Sequence, residues 1–160
     1  MNDKELLQLF KNANRMLSKG PNVQADSAIA AIECEWKNRL DLARSGLYKY
    51  EQPQIGMLAT LGYHVGNTEG EPTPIRRMIL KNLLERQLPI VESPAYTDEW
   101  GPPNSPTRYW KLVRFLGGQL SNPRNENAPN MGKAMIEWSE DLEWVEKSFS
   151  HLIKVKVAAV

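Results

Sequence analysis

SPTRYWKLVRFLGGQL, residues 105–120, carries the clearest helix signals in the chain. Ser105 is a preferred N-cap residue, and Pro106 suits the first helical position, where its missing N–H costs nothing. One face collects apolar side chains at helical spacing: Tyr109, Leu112, Val113, Leu116 and Leu120. The segment therefore predicts an amphipathic helix that begins directly after Ser105.

The other face of this helix is basic. Arg108, Lys111 and Arg114 follow one another at every third position, and Arg124 comes a few residues later. Trp110 and Phe115 flank the cations, an arrangement typical of surfaces that bind nucleic acid or another anionic partner. These four cations, with Trp110 as a stacking group, are the candidate binding residues.

A second interpretation of the same residues stays open. Residues 91–104 contain Glu92, Asp98 and Glu99 and no basic residue. Arg108 and Lys111 would then neutralise acids of the same chain, leaving a solvated face with internal salt bridges.

Composition indicates an ordinary globular protein. The chain has 160 residues, 41% of them hydrophobic, and a net charge of +1, so any attraction to nucleic acid must come from a local patch. We expect a single helical domain, residues 1–160, in the cytoplasm, since no apolar run is long enough to span a membrane. The lone Cys34, with His64 and His151 as the only histidines, predicts neither a disulfide nor a metal site, and we expect no cofactor.

Helical periodicity extends along most of the chain and predicts an all-α bundle of five or six helices. We expect an N-terminal helical pair in residues 3–45 and a main helical body in residues 53–152, centred on helices 73–87 and 134–151. Two short elements stay open: a hairpin near 62–70, and a strand in the tail, residues 153–160, where apolar residues alternate with lysines.

The last helix has the strongest periodicity. Its apolar residues alternate in steps of three and four: Met135, Trp138, Leu142, Val145, Phe149 and Leu152. This pattern predicts packing within the bundle, with a homodimer seam as the alternative. Trp144 lies opposite the seam on an acidic helix, where we expect either the loop at 91–104 or another protein to cover it.

Three glycines four residues apart, Gly62, Gly66 and Gly70, precede the helix that begins near Thr73. Helix N-termini bind anions, and Arg76 and Arg77 lie in the first turn, so this is a second, weaker candidate anion site. No GK[ST] sequence follows the glycines and no clear strand precedes them, so a structural turn or small hairpin is the favoured explanation.

The segment 88–104 reads as an irregular, proline-rich loop. Tyr96 and Trp100 are its expected anchors, with their rings buried. Alternatively, Thr97 to Trp100 forms an acidic, aromatic docking site, which makes Trp100 a candidate partner-binding residue together with Trp144. A second loop of about ten residues is expected after the helix at 105–120.

Enzymatic motifs are missing from the sequence. Neither histidine lies near a GxSxG nucleophile elbow, and the carboxylates of the last helix have the spacing of a solvated face. No catalytic residue is assigned, and we lean towards a protein that is not an enzyme.

Four short motifs resemble the landmarks of an uncharacterised bacterial helical module. They are LGYHVG at 61–66, RRMIL at 76–80, WGPPNSPTR at 100–108 and EWSEDLEWV at 137–145, and the resemblance covers roughly residues 55–150. It implies no activity and no catalytic residue.

The sequence thus predicts a non-enzymatic binding module that contacts a nucleic-acid backbone or an acidic protein through its basic helix face. The alternative is a protein–protein adaptor or self-associating structural protein that uses the acidic last helix and Trp144.

Overall fold

The computed structural model describes residues 1–50 and 55–154, and in these ranges the chain is helical without a β-strand. The prediction of an all-α fold is confirmed. The described residues form eight α-helices: α1 (Asp3–Leu17), α2 (Val23–Arg44), α3 (Met57–Leu61), α4 (Thr73–Glu85), α5 (Pro94–Asp98), α6 (Pro106–Ser121), α7 (Pro123–Asn127) and α8 (Gly132–Phe149). A short 3-10 helix, Ser150–Ile153, follows α8.

Helices α1 and α2 pair as the sequence predicts. Asn2 and Glu5 form a reciprocal capping box at the start of α1, and the Asn22 side chain caps α2. The ring of Phe10 packs against that of Trp36, with 5.2 Å between ring centroids. Each helix thus turns its apolar stripe towards the other.

Helix α4 lies at the centre of the core. Leu80, Leu83 and Leu84 are fully buried, because α4 contacts α1 on one side and α8 on the other. Helix α8 packs along α6, and its residues Trp138, Val145 and Phe149 are buried. The seam of α8 therefore packs within the chain.

Two segments expected to be loops contain short helices. Ser93 caps α5 through its side chain and is followed by Pro94, and Asn122 caps α7 in the same way and is followed by Pro123. Each pair repeats the signal that starts α6 at Ser105, a capping residue and then proline at the first helical position. The expectation of irregular loops was wrong here, since this local signal is enough to form one helical turn.

The region 62–70 forms a turn rather than a hairpin. No strand lies in it, and Gly62 and Gly66 both adopt positive φ angles that favour glycine. The expected tail strand falls mostly on residues 155–160, which lie outside the described residues. No helix in the described ranges is long and apolar enough to cross a membrane.

Candidate binding surface on helix α6

Arg108 is not part of an exposed basic row. Its side chain is only 2% exposed, and its guanidinium donates to the carbonyls of Gly101 (3.1 Å), Leu83 (2.7 Å) and Arg86. Gly101 has φ +73°, and a Cβ there would lie 2.9 Å from the Thr107 side chain, so the chain approaches α6 closely at this point. The prediction of Arg108 as a surface binding residue needs correction: it joins the end of α4 to the start of α6.

Burial lowers the pKa of Arg108 to about 10, because no carboxylate contacts the buried guanidinium. The group still carries its charge at neutral pH. Carbonyls at the C-terminal end of α4 suit a cation, since helix C-termini carry partial negative charge.

Lys111 has a partner in the chain. Its Nζ lies 3.3 Å from Oε2 of Glu99 and above the rings of Tyr96 and Trp100, at 5.8 and 5.4 Å from their centroids. The geometry agrees with the internal salt-bridge interpretation for Lys111, whereas Arg108 pairs with no acid.

Arg114 differs from both. It is exposed, and it forms no ion pair with any described residue. Trp110 and Phe115 beside it keep 45% and 37% of their surface exposed. We name Trp110, Lys111, Arg114 and Phe115 the α6 surface. Trp110 and Phe115 are large aromatic side chains that stay exposed among residues 1–50 and 55–154, and both lie next to the unpaired Arg114.

Arg124 lies on α7. Its side chain is exposed and forms no ion pair among the described residues, while its backbone N–H donates to the Asn122 side chain. Of the four predicted cations, Arg114 and Arg124 therefore stay exposed and unpaired.

The weaker candidate anion site is occupied by acids of the same chain. Arg76 is 1% exposed, and its Nε and Nη2 donate to the two carboxylate oxygens of Asp141 at 2.8 and 3.2 Å. Its Nη1 donates to Glu137 and, at 2.9 Å, to the carbonyl of Glu71. Arg76 is thus unavailable to an external anion. Burial alone would lower the pKa of Arg76. The hydrogen bond to Asp141 and the negative charge of that carboxylate have the opposite effect and are larger together, so the pKa is raised.

The residues around Arg76 form a buried cluster. The Tyr63 hydroxyl donates to Oδ2 of Asp141 at 2.6 Å, and the backbone N–H of Gly66 donates to Oε1 of Glu137 at 2.9 Å. Burial and the nearby Asp141 carboxylate raise the pKa of the Tyr63 phenol. We call Tyr63, Arg76, Glu137 and Asp141 the Arg76 centre; it joins the turn after α3, helix α4 and helix α8.

Arg77 and Trp144 contact each other. The guanidinium carbon of Arg77 lies 5.5 Å from the centroid of the Trp144 ring, which also meets Phe149 edge-on. Trp144 is half-buried by these contacts, so its place opposite the seam is covered within the chain. Trp100 is 2% exposed, which corrects its prediction as a surface contact and fits its expected role as a loop anchor.

Three of the four landmark motifs meet at Arg76, and the fourth contains Arg108. Tyr63 and Gly66 of LGYHVG, Arg76 of RRMIL, and Glu137 and Asp141 of EWSEDLEWV build the Arg76 centre. The WGPPNSPTR motif supplies both Arg108 and its Gly101 acceptor. Sequence analysis missed both clusters, although arginines and acids inside otherwise apolar helix faces were the available signal.

In the described ranges, no group of three His, Cys, Asp or Glu side chains is placed to hold a metal ion. Cys34 is exposed on α2.

No protein-family model, curated protein or solved structure matches the chain.

Proposed function

We propose that this protein is a non-enzymatic binding module that docks an acidic protein segment on the α6 surface. The observation that carries the proposal is the exposed Trp110 and Phe115 on either side of the unpaired Arg114. Tryptophan and arginine dominate the energetic centres of protein interfaces, and an unpaired arginine favours a carboxylate as its partner.

A protein partner is favoured over nucleic acid because of the number of available cations. Affinity for a nucleic-acid backbone grows with the number of phosphates neutralised. Burial removes Arg108 from the predicted row, and Lys111 is paired with Glu99, which itself adds a negative charge at the edge of the surface. Arg114 and Arg124 supply few contacts for a duplex but enough for an acidic peptide.

The adaptor alternative, with Trp144 as its anchor, has weaker support. Trp144 already packs on Arg77 and Phe149, so a partner would gain little further burial there. The exposed Ile136 and the acids of α8 remain the features that favour such a contact, or a homodimer.

We also propose that the chain forms a single domain in the cytoplasm. One continuous hydrophobic core with buried residues from α1–α4, α6 and α8 supports the first, and one free cysteine supports the second.

Peptide selection on the immobilised protein tests the proposed function. A displayed random-peptide library should yield sequences that combine acids with apolar residues. Arg114→Glu should weaken the selected peptides at least about tenfold, since it replaces an attraction by a repulsion. Lys133→Glu, an equal charge change at an exposed site on α8, is the matched control and should stay within about twofold.

The Arg114→Glu variant should stay folded, so a loss of peptide binding can be attributed to the changed charge. An exposed substitution without a partner should change the free energy of unfolding by less than about 0.5 kcal/mol. Selected peptides without acids, or equal losses in both variants, would contradict the proposal.

Nucleic acid is tested separately by mobility shift. A duplex and a single strand are titrated at low salt, where binding should follow a log–log salt slope near −0.9 per phosphate contact on the duplex. A shift that Arg114→Glu abolishes, at affinities above those of the peptides, would replace the protein partner by nucleic acid.

A further inference from the structure

A cleft of about 300 Å³ lies between α2, α5 and the start of α6. Leu40, Pro102 and Pro103 give it apolar walls, and Lys37 and Arg108 bring positive charge to its lining. Apolar walls with a few polar groups are the usual character of small-molecule sites, and this volume matches the smallest of them. None of these residues belongs to the α6 surface, so the cleft is a separate place on the molecule.

One nitrogen of the Arg108 guanidinium, Nη2, forms no hydrogen bond with residues 1–50 or 55–154, whereas Nε and Nη1 donate to backbone carbonyls. Four described side-chain atoms are both unpaired and fully closed to solvent, and Nη2 of Arg108 is not one of them. Because Arg108 lines the cleft, Nη2 is the edge of the guanidinium that a ligand there can reach. The buried cation thus presents one donor to the cleft.

The two acids that line the cleft already pair with Arg44. Asp41 lies 3.0 Å from the Arg44 guanidinium, and Asp98 bonds to the same group. Lys37 is exposed and forms no ion pair with a described residue, and no carboxylate contacts Arg108. Both cations therefore lack a counter-charge, and the lining favours an anion.

We propose that this cleft binds a small carboxylate with a short apolar body. The carboxylate accepts a hydrogen bond from Nη2 of Arg108 and pairs with the ammonium of Lys37. Its carbon chain lies against Leu40, Pro102 and Pro103. Hydrogen bonds between an arginine and a carboxylate are among the strongest in proteins, and partial enclosure strengthens this one because water screens it less.

Pentanoate and pentanamide test the charge, because the two probes have the same size and only the first is an anion. Binding of each is measured by NMR titration of the nitrogen-15-labelled protein. Pentanoate should bind about tenfold more tightly, the effect expected for one hydrogen bond between charged groups. The side-chain N–H signals of Arg108 should shift with pentanoate. Those of Arg76, a buried arginine whose three nitrogens are all paired within the chain, should not.

Lys37→Met removes one of the two cations at an exposed position and should leave the fold intact. It should weaken pentanoate about fivefold and leave pentanamide unchanged. Lys133→Met, the same substitution at an exposed site on α8, is the matched control and should change neither probe by more than about twofold. Arg108→Met should bring pentanoate to the affinity of pentanamide. If that variant fails to fold, Lys37→Met and the Arg108 signals of the unmodified protein still decide the question.

Four results would each overturn the proposal: no binding of pentanoate at about 10 mM, equal affinities for the two probes, unmoved Arg108 signals, or equal losses in Lys37→Met and Lys133→Met. Inorganic phosphate is titrated in the same way. Tighter binding of phosphate than of pentanoate would overturn the choice of a carboxylate.

Discussion

Arg76 and Arg108 are buried to the same extent but are satisfied in different ways. Arg76 is 1% exposed and contacts two carboxylates, Glu137 and Asp141. Arg108 is 2% exposed and contacts only backbone carbonyls. The pKa shifts follow this difference: the acids raise the pKa of Arg76, whereas burial without an acid lowers that of Arg108 to about 10.

The two arginines therefore stabilise the fold in different ways. The Arg76 centre needs its cation to neutralise two buried acids, so its loss would leave charges without a partner. The Arg108 contacts involve neutral dipoles at the end of α4 and in the Gly101 turn, whose loss would leave only unpaired carbonyls. The loss of stability on replacing each arginine should therefore depend on the charges left unpaired rather than on the number of hydrogen bonds lost.

The largest effect is expected for Arg76→Met. Because it leaves the carboxylates of Glu137 and Asp141 buried and unpaired, it should lower the free energy of unfolding by roughly 3–5 kcal/mol. Urea denaturation followed by circular dichroism measures the change. Adding Glu137→Gln and Asp141→Asn keeps the acceptors for Gly66 and Tyr63 without their charge, and should recover at least half of the loss. A triple variant as unstable as the single one would show that charge is not the cause.

Arg108→Met should cost less, about 1–3 kcal/mol, since it unpairs neutral carbonyls. The same denaturation experiment measures it. Lys111→Met, three positions along α6, is the control and should cost less than about 1 kcal/mol because its ion pair with Glu99 is solvated. If Arg108→Met proved more damaging than Arg76→Met, the proposed ranking by charge would be wrong.

Tyr63→Phe should have the smallest effect, about 1 kcal/mol at neutral pH, from the lost bond to Asp141. Its effect depends on pH. The folded state holds the Tyr63 proton above the pH of about 10 at which the unfolded chain releases it. The stability that Tyr63 contributes is therefore present below that pH and declines above it, so wild type and Tyr63→Phe should converge.

Denaturation midpoints from about pH 8 to pH 11 check this convergence around the ordinary tyrosine pKa. Tyr50, whose pKa burial raises to about 12, titrates in both proteins and cancels in the comparison. A constant difference between the two proteins over this range would contradict the assigned role of Tyr63.

The sequence was sufficient for the fold class because helical periodicity and caps are local signals. The helix after Ser105, the paired N-terminal helices and the central place of α4 all follow from such patterns. Periodicity assigns charged residues to the solvent by default, so it misplaced Arg76 and Arg108. Their positions inside otherwise apolar helix faces were a local sign of burial, but no local pattern identifies their partners, which lie far away in the chain: Asp141 for Arg76 and Leu83 for Arg108.

Long-range contacts also limited how well the sequence could predict the binding surface. Which cations of residues 108–124 stay unpaired depends on what the fold brings beside them, such as Glu99 beside Lys111. The exposure of Trp110 and Phe115 likewise follows from how α6 packs on α8. The sequence predicts the composition of this face but not its accessible part.

The Arg76 centre also bears on the order in which the molecule folds. Its contacts join residues 61 to 78 positions apart, whereas α1 and α2 meet across a short turn. Closing a long loop costs conformational entropy before the new contact contributes favourable energy, so such contacts tend to form late in folding. Interactions absent from the folding transition state govern how quickly the native state opens. The Arg76 centre would then slow unfolding, and so lengthen the lifetime of the folded molecule, more than it would speed folding.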